Sequence, residues 1–134
     1  MARKQVTITI HDKNRDEGKR FLITEFSARR AHNWACRALF GMANGGIDIP
    51  EGLENQGMAG LAAMGINALS NIKPDIGIPL MDELMECVQI LPNPEMPEIV
   101  RHLIDEDIEE VLTIFKLQKE VLMLHIGFFT TESQ

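Results

Sequence analysis

The chain contains no tyrosine and only two cysteines. Without tyrosine, one of the usual proton donors of enzyme sites is missing. Cys36 and Cys87 lie far apart, so they form neither a disulfide framework nor a spaced ligand set, and their apolar neighbours predict reduced, buried thiols. Basic residues are scarce as well, 13 against 20 acidic ones, for a net charge of -7. Binding to phosphate backbones draws on clustered Lys and Arg, so nucleic acid is not an expected partner. Long hydrophobic runs are also lacking. The most apolar window, Met58 to Leu69, includes Asn67 and falls short of the roughly 20 residues that cross a bilayer, so no membrane association is expected. The Met-Ala-Arg-Lys-Gln start leads into an alternating segment without a signal-peptide core, which makes a cytoplasmic location the expectation. There is no internal repeat or low-complexity tract.

What is present reads as α+β: an N-terminal β-hairpin, with Glu98 to Ile104 a candidate third short strand, packed on a bundle of about four helices. The 134 residues suit one domain that needs no disulfide or metal to fold. Within it, residues 1–26 form the hairpin and residues 27–91 a helical body. Residues 92–104 are a Pro-rich connector with the candidate strand, 105–129 a C-terminal helix and 130–134 a tail.

Val6, Ile8 and Ile10 alternate with Thr7 and Thr9, the period of a half-buried strand. Asp12 to Gly18 supplies turn residues before the second β-rich run, Arg20 to Thr24. An isolated hairpin is marginal in water, so its apolar face needs support, expected from the helix capped by Ser27. That helix gathers Ala31, Trp34, Ala35, Ala38, Leu39 and Met42 on one face and ends at Asn44-Gly45-Gly46.

Met58 to Ile72 reads as a helix apolar nearly all round, and Lys73-Pro74 ends it. Leu80 to Val88 forms a third helix. Three prolines make Leu91 to Pro97 a connector. The acidic run Asp105 to Glu110 suits the positive end of a last helix, marked by Ile108, Val111, Leu112, Phe115 and Leu122. Arg29, Arg30 and Arg37, with Lys13, Arg15, Lys19 and Arg20 upstream, admit two readings: a solvated helix face, or a steering surface for an acidic partner.

No constellation carries catalysis. His32 and Cys36 share a face at i,i+4, yet nothing at metal spacing completes a zinc site. The acidic run lacks the central glycine and alternating ligands of a calcium loop. The glycines follow no strand and open no phosphate-binding turn, and the serines sit in no nucleophile elbow. A protein without enzymatic activity, cofactor or metal is therefore expected.

One feature stands above background. The chain has eight methionines, and Met58, Met64, Met81 and Met85 fall in the two central helices. Methionine is unbranched and polarizable, so such residues either fill an irregular core or mould a surface to apolar partners. Small residues from Ala59 to Ala68 allow close helix approach, and Met58, Leu61, Met64, Met81, Leu84 and Met85 together form a candidate groove for a partner helix.

Five stretches, in order, resemble the tail assembly chaperones of long-tailed phages and prophages. They are Gly18-Lys19-Arg20-Phe21-Leu22-Ile23-Thr24-Glu25, Ala31 to Leu39, Gly57 to Ala63, Pro79 to Val88, and Asp107 to Val111 continuing to Leu124-His125-Ile126-Gly127-Phe128-Phe129. The resemblance implies a protein of the bacterial host cytoplasm that binds the long helical tape measure protein and keeps it soluble while tail tube subunits assemble around it. The tail tube protein is a further expected partner, and a homo-oligomer is compatible with the role. The alternative is a structural tail or head completion protein retained in the virion.

Overall fold

In a computed structural model, residues 3–44 and 72–132 are described. The chain is mixed α and β, with a four-stranded antiparallel sheet and, among the described residues, three α-helices. The elements are β1 (Gln5–Thr9), β2 (Arg20–Thr24), α1 (Ala28–Asn44), α2 (Pro74–Leu84), β3 (Val88–Leu91), β4 (Arg101–His102) and α3 (Val111–Glu132). Two compact units are present, Met1–Glu25 with Leu84–Leu124, and Phe26–Glu83 with His125–Gln134. The predicted helix from Met58 lies outside the described residues.

The first unit holds the sheet, in the order β1-β2-β3-β4. The predicted hairpin is present, with Val6 opposite Ile23 and Ile8 opposite Phe21. Gly18 closes its loop at φ +87°, a backbone angle that side-chain-bearing residues rarely adopt. Phe21, Ile23, Val88 and Ile90 fall on one face of the sheet and are buried.

β3 corrects the sequence reading. The expected helix from Leu80 to Val88 starts earlier, at Pro74, and stops at Leu84, where a single 3-10 turn, Met85–Cys87, leads into the strand. Val88-Gln89-Ile90-Leu91 has period two at its start, and pairing of this run with β2 outweighs the helical spacing that ends at Val88. Pro74 fits as the first residue of α2, where its missing N–H costs nothing. The candidate strand between Glu98 and Ile104 shortens to Arg101–His102 and pairs with β3, not with the hairpin.

The acidic run also differs from expectation. Asp105–Asp107 is a 3-10 turn, and α3 begins only at Val111. Asp107 accepts a two-pronged pairing from Arg101, at 2.7 and 2.8 Å, and a bond from the Ile104 amide at 2.8 Å. The anion that meets the start of α3 comes instead from the hairpin loop. Asp16 is fully buried and accepts bonds from the Glu109 amide (3.0 Å), the Glu110 amide (2.9 Å), the Thr113 hydroxyl (2.7 Å) and the Lys19 ammonium (2.8 Å). Arg15 beside it binds Glu110 through its Nε at 3.1 Å and the Glu109 carbonyl at 2.8 Å.

In the second unit, α1 opens as expected, with the Ser27 hydroxyl accepting from the Arg30 amide at 3.3 Å. Trp34, Ala35, Ala38 and Leu39 are buried. The Trp34 indole N–H donates to the Leu80 carbonyl at 2.9 Å. Arg30 and Arg37 both bind Glu83, so two of the clustered arginines serve an internal ion pair.

Gly41 of α1 lies close to Ile72 and Ile76: an added Cβ would stand 2.9 Å from Ile72 Cγ2 and 3.3 Å from Ile76 Cγ2. A stiff β-branched side chain yields little. Gly41→Ala is therefore expected to lower stability by about 1 kcal/mol, overpacking outweighing the better helix propensity of alanine. Urea denaturation of the variant checks this, and a stabilised variant would show that Ile72 shifts freely.

Candidate partner-binding surface

α3 carries apolar residues on more than one side, and the fold chooses which of them it buries. Thr113, Leu117, Gln118, Val121, Leu122 and His125 turn inward. That leaves Val111, Leu112 and Phe115 exposed at 69%, 55% and 52%, with Met123 also exposed further along. Leu112, Phe115, Lys119 and Met123 follow the three- and four-residue spacing that puts side chains on one helix face. Lys116 and Lys119 are exposed between them, and Lys116 pairs with Asp12. The outward face is thus an apolar stripe with basic residues along it. Ile104, exposed as well, lies in the segment leading to the helix.

The loop bonds described above tie the hairpin loop to the start of this helix. Burial pushes the Asp16 carboxyl up, but the bonds from Lys19, Thr113 and the Glu109 and Glu110 amides outweigh it and hold the group ionised well below the usual carboxylate range. Asp107 is lowered by its hydrogen bond with Arg101, and Glu110 by its hydrogen bond with Arg15. Three carboxylates therefore stay charged where the hairpin loop meets the start of α3, and each holds a fixed donor. A cleft in the same unit is bounded by Lys19, Arg20, Ile90, Pro92, Arg101 and Asp107. Of these, Lys19 and Arg101 both donate to Asp107, which takes them up as structural ties.

The residues singled out from the sequence are distributed differently. Met58, Leu61 and Met64 lie outside the described residues. Met81, on α2, and Met85, in the following turn, are half-buried, and Leu84 is fully buried. Leu84 therefore contributes to the core and presents no surface. His32 and Cys36 do share a face, with Cys36 Sγ 3.7 Å from His32 Nε2. No group of three His, Cys, Asp or Glu side chains placed to hold a metal ion occurs among the described residues. Of the two thiols, Cys87 is buried as expected and Cys36 is half-buried. Among the described residues no helix is long and apolar enough to cross a membrane.

Leu112 and Phe115 were visible in the sequence as markers of the last helix, but as members of its apolar set. Where apolar residues fall on more than one side of a helix, periodicity alone does not say which side is buried. In comparisons with family models, with curated proteins and with solved structures, the chain matches none.

Proposed function

We propose that the chain is a tail assembly chaperone of a long-tailed phage or prophage, which binds the tape measure protein non-covalently during tail morphogenesis in the host cytoplasm. The observation that carries the reading is the exposed stripe Val111, Leu112, Phe115 and Met123 on α3. Neighbouring large apolar side chains left in water mark an interaction surface. A stripe with helical spacing suits an amphipathic partner helix, whose apolar face it would cover. Lys119 along its length favours an acidic residue flanking that face. The stripe begins within the stretch from Asp107 onward that resembles the chaperone family. A chaperone of this kind needs modest, reversible affinity and no covalent chemistry.

Co-expression with the tape measure protein of the same phage is expected to raise the soluble yield of that protein. Leu112→Glu and Phe115→Glu, at exposed positions, are expected to keep the far-UV circular dichroism of the parent while weakening the complex about tenfold or more. An unchanged soluble yield with either variant would remove the α3 face from the reading. Mass spectrometry of purified tails separates the chaperone from a virion component, because the chaperone is expected to be absent from finished particles.

A further inference from the structure

The two edges of the sheet are treated in opposite ways. β4 is two residues long, carries the charged Arg101 and is exposed, and it follows the prolines Pro92, Pro94 and Pro97. Shortness, charge and nearby proline are the devices by which proteins stop an edge strand from recruiting another. β1 has none of them: Gln5–Thr9 is five residues long, uncharged, free of proline, and in unbroken register with β2.

The hydrogen bonds fix which way its backbone points. The Ile10 amide donates to the Lys19 carbonyl at 2.9 Å, and the Glu25 amide donates to the Lys4 carbonyl at 3.0 Å. In an antiparallel pair, hydrogen-bonded and non-hydrogen-bonded positions alternate. Lys4, Val6, Ile8 and Ile10 therefore turn their N–H and C=O towards β2, and Gln5, Thr7 and Thr9 turn theirs away. Among the described residues nothing takes up these outward groups. The Gln5 side-chain amide binds Thr24 Oγ1 at 2.9 Å, as expected for a closely spaced non-hydrogen-bonded pair.

We infer that β1 is a self-association edge, on which a second copy of this chain adds its own β1 antiparallel across a two-fold axis at Thr7. With the axis there, Thr7 stands opposite Thr7, and Gln5 of each copy stands opposite Thr9 of the other. Every outward N–H then meets an outward C=O. Directly opposed residues share a face of the sheet, so Val6 of each copy meets Ile8 of the other, and both are half-buried apolar side chains with area left to cover. The uncharged strand brings no like charges together, and Arg3 comes against the His11–Asp12 corner of the other copy. A two-fold interface requires a patch complementary to itself, and this strand meets that requirement in hydrogen bonding, in side-chain type and in charge. The inference does not rest on the chaperone reading.

Sedimentation velocity across a concentration series tests it on the full chain. The wild type is expected to pass from monomer to dimer. Thr7→Pro removes an N–H that β2 does not use, so the fold is expected to survive by circular dichroism while self-association weakens roughly tenfold or more. Thr7→Lys and Thr7→Glu set like charges on the axis and are expected to be monomeric alone but to form a dimer when mixed, an outcome that separates a second copy from any other strand. A wild type that stays monomeric throughout, or Thr7 variants that dimerise as the wild type does, would overturn the inference.

Discussion

Asp16→Ala is expected to destabilise the protein by about 3–5 kcal/mol, the cost of breaking a buried charged network by removing one member. The carboxylate is fully enclosed and receives the Lys19 ammonium, the Thr113 hydroxyl and two backbone amides. Its loss would leave those donors without their acceptor and would untie the hairpin loop from the start of α3. The melting temperature is expected to fall by more than about 10 °C. Asp16→Asn keeps the shape but sets an NH2 group against donors, so it is expected to lie between alanine and the wild type.

The same network predicts the response to acid. Asp16, Asp107 and Glu110 all have their pKa lowered in the folded state. A folded pKa below the unfolded one gives stability that is fully present above the unfolded value, about 4 for carboxyls. It is lost as pH falls below that value towards the folded pKa. Stability is therefore expected to drop steadily below about pH 4, and Asp16→Ala is expected to flatten that slope. Urea midpoints measured at several pH values check both statements.

Trp34→Ala is the second large effect. The indole is fully buried, and its N–H is bound to the Leu80 carbonyl at 2.9 Å. Removing it opens a cavity and orphans that carbonyl, for a loss of about 3–5 kcal/mol. Trp34→Phe retains most of the packing and forfeits the hydrogen bond, so a loss nearer 1 kcal/mol is expected. Circular dichroism during urea unfolding measures both variants. Equal losses would mean that the hydrogen bond, and not the volume, holds α1 to α2.

Local signals made the hairpin and α1 legible. The Val6–Thr7–Ile8–Thr9 alternation and the Ser27 cap each depend on neighbours within a few residues, and each appears where the sequence placed it. β3 was hidden because Leu80, Leu84 and Val88 also fit a helix, and only the pairing of Val88 with Ile23 decides for the strand. Nothing near Asp16 in sequence reveals its role. It lies four residues before the second strand, in a run that reads as a polar turn, and its partners Glu109, Glu110 and Thr113 are more than ninety residues further along the chain.

The exposed side of α3 was not legible in the sequence. Methionine content pointed to the central helices, of which Met58, Leu61 and Met64 lie outside the described residues; among the described ones Phe40 and Ile78 are exposed as well as Val111, Leu112, Phe115 and Met123, and only the last four share one helix. Burial decides that question, because α3 carries apolar residues on more than one side. A surface-seeking reading based on residue type also cannot tell Leu84, enclosed on all sides, from Leu112, which is open.

A photo-crosslinking benzoyl-phenylalanine placed at position 115, in cells that make the chain together with the tape measure protein of the same phage, tests the proposed partner face most directly. A covalent adduct with the tape measure protein is expected from position 115, and none from the exposed position of Arg29. Equal adducts from both positions, or none from position 115 while the two proteins still copurify, would contradict the assignment of α3 as the face that holds the partner.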